Sequence, residues 1–154
     1  MLSDEIKFEI QCGVSVCPTR HCAILEALQI VQRHHGWISD ERLEAVAKFL
    51  GLTIEEVDGV ATFYNRIYRK PVGRHVILVC DSVSCWIMGF ENILDQIKKK
   101  LGIGFGETTP DGRFTLLPIQ CLGACEQAPA MMIDGILYGC LNSGKIDKIL
   151  SSYE

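Results

Sequence analysis

The spacing of apolar residues predicts helices through the first part of the chain. Residues 23–35 carry their apolar side chains on one helical face, and a glycine follows as a typical helix stop. A second helix is predicted over residues 39–51, with a serine as its N-cap. Thr53 and Glu56 have the spacing of a capping box for a short third helix, and the segment GVATFYNRIY is predicted to continue as a fourth. We therefore expect a small helical region over residues 1–70.

The pattern changes at the segment KPVGRH, where a proline and a glycine mark a boundary. HVILVC has the apolar density of a buried strand, and residues 90–101 return to helical spacing before a glycine. RFTLLPIQC is predicted as a second strand, MMIDGILYG as a hairpin that turns at Asp134 and Gly135, and SGKIDKILSSY as a final helix. The order β-α-β-β-β-α predicts an α/β domain with a small sheet of the thioredoxin kind over residues 71–154.

Composition narrows the class of protein. The chain has 154 residues and is 48% hydrophobic, which is enough for a real core. Its formal net charge of -4 argues against nucleic acid as a partner. The longest uncharged run contains a proline and is too short to cross a bilayer, and the N-terminal segment MLSDEIKFEI has acidic residues that signal and transit peptides avoid. We expect no direct membrane insertion and a cytoplasmic location.

Four of the eight cysteines fall where two predicted strands end. Cys80 ends the first strand of the second region, and Cys85 follows in the next loop. Cys121 ends the second strand, and Cys125 follows in its loop. Strand ends on one side of an α/β sheet are where ligand sites usually form. The sequence therefore predicts one composite site of four thiolates.

Several kinds of site are compatible with four thiols in this pattern. They are core packing, a zinc site, a thiol-disulfide oxidoreductase and a 2Fe-2S cluster. The sequence CLGAC and the wide loop before Cys85 differ from the short knuckles of structural zinc sites, and C-x-x-C, the usual redox motif, is absent. The spacing favours a 2Fe-2S cluster, which would have a potential of about -400 mV with cysteine ligands alone. Ser82, Ser84 and the backbone N–H groups of Gly123 and Ala124 are the expected donors to its negative charge.

Three segments carry a resemblance to a known family. PVGRHVILVCDSVSC, DGRFTLLPIQCLGACEQAPAMMI and the earlier GVATFY resemble the 24 kDa-type subunit of respiratory complex I, the NADH-quinone oxidoreductase, which in bacteria is called the E subunit. The resemblance covers about residues 18–150. It implies a thioredoxin-like 2Fe-2S ferredoxin domain preceded by a small N-terminal helical region, with one cluster held by Cys80, Cys85, Cys121 and Cys125.

The same resemblance implies a role and a partner. The chain would be a non-catalytic electron-carrier subunit, paired with the flavin-bearing NADH-oxidising subunit as a heterodimer within a larger complex. FMN and NADH would bind to that partner, and the pair would belong to a peripheral arm attached to the cytoplasmic face of the bacterial inner membrane. Related subunits of NAD-linked hydrogenases and formate dehydrogenases share the ligand pattern and stay as alternatives.

The remaining cysteines are not explained by this resemblance. Cys12, Cys17 and Cys22 form the pattern C-x4-C-x4-C, where the chain departs from the family. Together with His21 they suggest a second metal site, but the segment lacks strand or hairpin context, which favours packed or exposed thiols. Cys140 is predicted as a core residue of a strand. Trp86, directly after a predicted ligand, is interpreted as a packing residue, with shielding of the cluster from water as the alternative.

Overall fold

The computed structural model describes residues 2–153, which divide into two compact units, one up to Pro71 and one from Val72 onward. The first unit is helical. Its elements are α1 (Asp4–Val16), a one-turn 3-10 helix (His21–Ala23), α2 (Ile24–His35), α3 (Asp40–Leu50) and α4 (Ile54–Phe63). Each of the four α-helices turns apolar residues inward. The core of this unit includes Ile6, Ile10, Leu28, Val31, Leu43, Val46 and Val57, all nearly inaccessible to solvent.

Side-chain caps define where these helices begin. The Ser39 hydroxyl accepts a hydrogen bond from the backbone N–H of Arg42 at the start of α3. At α4 the Thr53 hydroxyl accepts from the Glu56 N–H at 3.3 Å, and the Glu56 carboxylate accepts from the Thr53 N–H at 2.8 Å. This is the predicted capping box, and it satisfies two backbone donors that a helix start leaves without partners.

Thr53→Ala tests the contribution of this cap. We expect the substitution to lower the free energy of unfolding by about 1 kcal/mol, since the Glu56 N–H loses its acceptor. The measurement is urea unfolding followed by circular dichroism. The matched control is Thr62→Ala on the same helix, where the hydroxyl bonds only to carbonyls of its own turn and the expected change is within about 0.5 kcal/mol. Equal effects of the two substitutions would contradict the assigned cap.

The second unit contains one mixed four-stranded sheet in the order β2-β1-β3-β4. Its elements are β1 (His75–Cys80), α5 (Val83–Ile87), α6 (Phe90–Leu101), β2 (Phe114–Ile119), a one-turn 3-10 helix (Cys125–Gln127), β3 (Met131–Ile133), β4 (Ile136–Tyr138) and α7 (Ser143–Ser151). β1 pairs in parallel with β2 and antiparallel with β3. Residues of both faces of β1 are buried, as its continuous apolar run predicts. The α/β class and the order of the elements are confirmed, with the short helix α5 as an addition.

The predicted hairpin is also confirmed. Asp134 and Gly135 connect β3 to β4, and both have positive φ, at 51° and 88°. Two consecutive positive φ angles suit the twist of a two-residue hairpin, and the Asp–Gly pair tolerates them. The Asp134 carboxylate also accepts a hydrogen bond from the Val76 N–H, which ties the turn to the beginning of β1.

The structure differs from the predicted local structure in three places. Helix α1 was not predicted, although Ser3 caps it and Ile6 and Ile10 are buried at helical spacing. The fourth helix is wrong, because α4 continues without a break from its cap through GVATF and ends at Phe63. The core assignment of Cys140 is wrong as well: β4 has only three residues, and Cys140 lies beyond it, exposed, with a φ of 49°. Within residues 2–153, no helix is both long enough and apolar enough to span a membrane.

Candidate metal centre

The parallel pairing of β1 and β2 brings two cysteines to one edge of the sheet. Cys80, the last residue of β1, lies opposite Ile119, the last residue of β2, and Cys121 follows two residues later. The Asp81 N–H donates to the Ile119 carbonyl at 3.0 Å, so the pairing extends to the point where the chains diverge. The register of the two strands thus brings the Cys80 and Cys121 side chains to the same edge of the sheet.

The other two cysteines come from short helices in the loops that follow. Cys85 lies in α5, and Cys125 begins the 3-10 helix before β3. Burial differs between the two loops, because Cys80 and Cys85 are 3% and 2% exposed while Cys121 and Cys125 are exposed. The site therefore has a buried half and a half open to solvent.

The four thiols interact with one another as a single group. The sulfur atoms of Cys121 and Cys125 are 3.9 Å apart. The Cys80 thiol interacts electrostatically with both Cys85 and Cys121, and Cys85 interacts likewise with Cys125. Among residues 2–153, no three His, Cys, Asp or Glu side chains converge as closely as ligands of a single metal ion do. The structure thus brings together all four predicted residues, as two linked pairs.

The environment shifts the pKa of one thiol in each half, Cys85 and Cys121, in opposite directions. Burial raises the pKa of Cys85 to about 11, and the hydrogen bond with Cys80 adds to the rise. The backbone N–H of Gly123 lowers the pKa of Cys121, to whose sulfur it donates at 3.3 Å, and hydrogen bonds with Cys125, Ser82 and Cys80 act in the same direction. The surroundings of Cys121 therefore favour its thiolate more than those of Cys85 do, and a thiolate at the buried Cys85 requires a positive charge beside it.

The loop backbone supplies the donors that a negatively charged centre needs. Gly123 has a φ of 75°, in the left-handed region that glycine adopts without strain, and this conformation accompanies the contact of its N–H with Cys121. The Ser82 side chain also lowers the pKa of Cys121. Both belong to the donors predicted from the sequence. Four sulfur ligands and these hydrogen bonds fit a 2Fe-2S cluster, whose iron ions would offset the cost of the buried thiolates.

Sequence reasoning missed an apolar surface beside this site. Trp86 is 59% exposed and Ile87 70%, so the interpretation of Trp86 as a packing residue is wrong; its indole N–H donates to the Glu91 carboxylate. We call the exposed side chains of Val83, Trp86, Ile87 and Met88 the α5 surface. An exposed cluster of large apolar groups is typical of a protein interface. The sequence feature that could have indicated this surface is the run VSCWIM, which has four large apolar residues on a short segment around one cysteine.

The cysteines of the helical unit form a separate pair. Cys17 and Cys22 interact electrostatically with each other, Cys17 being half-buried and Cys22 exposed. Cys12 is exposed on α1. His21 makes an ion pair with Glu56. Because the described part of the chain contains no three-ligand group for a single metal ion, this segment gives no support to a second metal site.

Comparisons with known proteins agree with this picture. The profile of the thioredoxin-like 2Fe-2S ferredoxin family matches residues 10–154. The chain is 51% identical over 131 residues to the E subunit of the NADH-quinone oxidoreductase of Pseudomonas aeruginosa, covering 85% of this chain and 79% of that protein. It is 50% identical over 132 residues to the corresponding E subunit of Escherichia coli strain K12, covering 86% and 80%.

The fold of this chain resembles that of a solved structure. The crystal structure of an NAD+-reducing NiFe-hydrogenase in the H2-reduced state aligns with a TM-score of 0.72 and 24% identity, covering 84% of this chain. This chain spans only 22% of the hydrogenase chain, and at such low identity the similarity concerns the fold alone. The family match and the E-subunit relatives decide the assignment: the chain belongs to the thioredoxin-like 2Fe-2S ferredoxin family, within the group formed by the E subunits of NADH-quinone oxidoreductases.

Proposed function

We propose that this chain is the electron-carrier subunit of an NADH-quinone oxidoreductase, and that Cys80, Cys85, Cys121 and Cys125 hold its one 2Fe-2S cluster. The observation that carries the proposal is the convergence of four thiols from two strand-end loops. The chain that contains them is 51% identical in sequence to the E subunit of such an enzyme. When bound, such a cluster supplies reversible one-electron chemistry. The role requires no substrate site on the chain itself.

The residues of the chain have distinct parts in this role. Cys80 and Cys85 anchor the buried side and keep water away from it. Cys121 and Cys125 form the open side, toward which an electron-transfer partner can approach. The Gly123 N–H and the Ser82 side chain stabilise negative charge on Cys121. The zinc and dithiol alternatives account for the four thiols but not for the membership of a 2Fe-2S family.

The partner in this proposal is the flavin-bearing, NADH-oxidising subunit, which holds FMN and NADH. The α5 surface supports it, because large apolar side chains flank Cys85 and would be desolvated by a second protein. Electron transfer needs a close approach between the two centres, and this surface lies next to one of the proposed ligands. We place the pair in the peripheral arm of the complex, at the cytoplasmic face of the membrane. Of the alternatives, the hydrogenase subunit is supported by fold similarity alone.

Electron exchange with the partner is directly testable. A centre at about -400 mV is a strong reductant, so flow from the reduced chain through the flavin to NAD+ is the favourable direction. The chain is reduced with dithionite, freed of excess reductant and mixed anaerobically with NAD+, with and without the flavin-bearing subunit of the same organism. We expect the oxidised absorbance spectrum to return about 100-fold faster with the partner than without it.

Two controls make this experiment decisive. The flavin-bearing subunit stripped of FMN should give no acceleration, because FMN is proposed to carry the electrons from the chain to NAD+. Equal rates with and without the holo partner would contradict the proposed partner. Reoxidation by NAD+ of the chain alone at the fast rate would contradict the assignment of the nucleotide site to the partner.

A further inference from the structure

Cys121 and Cys125 lie close together in the loop that follows β2. Cys125 begins the one-turn 3-10 helix, and the sulfur atoms of the two residues are 3.9 Å apart. The sulfur atoms of a disulfide are separated by about 2.05 Å, so a bond between these two requires an approach of roughly 2 Å. Rotation of a cysteine side chain from one staggered position to the next moves its sulfur at least this far. The pair is therefore within reach of a bond through side-chain rotation.

The loop backbone holds the two residues in this arrangement. The Gly123 N–H donates to the Cys121 sulfur at 3.3 Å, which folds the chain back between the two cysteines. Ala124 is only 7% exposed, so the middle of the loop is anchored in the domain. The Ala128 N–H donates to the Cys125 carbonyl at 3.3 Å and closes the 3-10 turn. The proximity of the two sulfur atoms is therefore a property of a folded loop.

Access from solvent separates this pair from the other two thiols of the site. Cys121 and Cys125 are exposed, whereas Cys80 and Cys85 are only 3% and 2% exposed. Thiol–disulfide exchange needs direct contact between the attacking sulfur and a sulfur of the small disulfide. A small disulfide in solution therefore reaches the open pair and not the buried one.

We propose that Cys121 and Cys125 form a reversible disulfide in the chain without its cluster, by exchange with low-molecular-weight disulfides such as glutathione disulfide. One of the two cysteines attacks a sulfur of the small disulfide as a thiolate, the S–S bond of the small disulfide breaks, and one glutathione thiolate leaves. The other cysteine loses its proton, attacks the first in the mixed disulfide and releases the second glutathione. The two protein thiols lose two electrons and two protons in total, and glutathione disulfide becomes two thiols.

The disulfide and the cluster exclude each other, because both use the same two sulfur atoms. This consequence rests on the proposed function, in which Cys121 and Cys125 are two of the four ligands. A disulfide offers no thiolate to a metal, so cluster loading requires that the pair is first reduced. The thiol redox poise of the compartment would thereby control how much of the chain can carry electrons.

The peptide that contains both cysteines gives a direct test. The full chain is stripped of iron with a chelator in the absence of air and equilibrated with mixtures of reduced and oxidised glutathione. Its free thiols are then alkylated, and it is digested with trypsin and a glutamate-specific protease, which release peptide 114–126 with this pair and no other cysteine. We expect oxidising mixtures to leave the peptide without alkyl groups and two hydrogens lighter than its dithiol form. Excess reduced glutathione should restore two alkylated thiols.

Two internal controls come from the same samples. Peptide 75–91 contains the buried Cys80 and Cys85, and both should stay alkylated in the mixtures that oxidise peptide 114–126. The chain with its cluster should keep its visible spectrum and give no light form of peptide 114–126. Equal oxidation of the two peptides, or a light peptide from a chain whose spectrum is intact, would contradict the proposal.

Matched variants identify the bonded cysteines. Cys121→Ser and Cys125→Ser should each abolish the light peptide. Cys140→Ser should retain it, although Cys140 is also exposed and its N–H donates to the Gln127 carbonyl at 2.6 Å, at the end of the 3-10 helix. Two alkylated thiols in peptide 114–126 at every mixture would overturn the proposal. A glutathione adduct or a bond to Cys140 in place of the internal disulfide would overturn it as well.

Reloading with iron and sulfide separates a failure of this proposal from a failure of the proposed function. The oxidised chain should take up at most about a tenth of the iron that the reduced chain takes up, because two ligands are blocked. Equal uptake by the two forms would overturn the exclusion between disulfide and cluster. If neither form assembles a 2Fe-2S cluster, the electron-carrier proposal fails, and peptide 114–126 still decides whether the disulfide forms.

Discussion

Replacing Cys121 by alanine, or Cys80 by serine, is expected to lower the iron content of the purified chain about tenfold or more. Changes in the surroundings of metal ligands already cost roughly 10- to 100-fold in affinity, and loss of a ligand costs at least as much. Cys121→Ala removes a thiol whose pKa the Gly123 N–H lowers. Cys80→Ser replaces a buried sulfur at the end of β1 by a hydroxyl of similar shape. Iron content and the visible spectrum, measured on anaerobically prepared protein, check both substitutions.

Cys140→Ala is the matched control for these two variants. Cys140 is exposed and is not one of the four interacting thiols, so iron content and spectrum should equal those of the wild-type chain. Far-ultraviolet circular dichroism verifies that each variant is folded. Loss of iron in Cys140→Ala together with full iron in Cys121→Ala would show that the ligands are assigned to the wrong residues.

Ile87→Asp is expected to weaken the association with the flavin-bearing subunit by about 30-fold or more. Truncating a central apolar contact of an interface typically costs about 2 kcal/mol or more, and each 1.4 kcal/mol is a factor of ten. A carboxylate at this position would also lose its water on binding. Because Ile87 is 70% exposed, the free energy of unfolding of the chain itself should change by no more than about 0.5 kcal/mol. Binding is measured by titration of the labelled chain with the partner.

Ile136→Asp provides the corresponding control for the α5 surface. Ile136 is also an exposed isoleucine, but it follows the Asp134–Gly135 turn, which is tied to the beginning of β1 and hence to the sheet end away from Cys80. We expect this variant to bind the partner as the wild type does. If Ile136→Asp weakens binding and Ile87→Asp does not, the interface lies at the opposite end of the sheet.

The site could be predicted from the sequence because strand ends are visible in it. The apolar run before Cys80 and the strand before Cys121 predict two parallel neighbours, and the pairing of Cys80 with Ile119 follows from that arrangement. What the sequence does not contain is the burial difference between the two loops, which depends on how α5 folds back after β1. Cys85 is buried for that reason, while its neighbour Trp86 is exposed.

Errors in the fold occurred where local signals were weak or competed. Helix α1 carries a serine cap and acidic residues in its first turn, but Gly13 and the β-branched Val14 and Val16 dilute its helical pattern. The predicted fourth helix starts at Gly59, yet α4 continues through this residue because Val57 and Ala61 are buried on either side of it. At that position the packing of buried side chains outweighs the low helix propensity of glycine, as it often does.

The central claim is that the chain binds one 2Fe-2S cluster, and one combined measurement tests it most directly. Protein purified without exposure to air is assayed for iron, zinc and acid-labile sulfide, and its EPR spectrum is recorded before and after addition of dithionite. The account predicts about two irons and two sulfides per chain, with no EPR signal as isolated and a signal after reduction. Zinc without sulfide, or a chain free of metal, would contradict it.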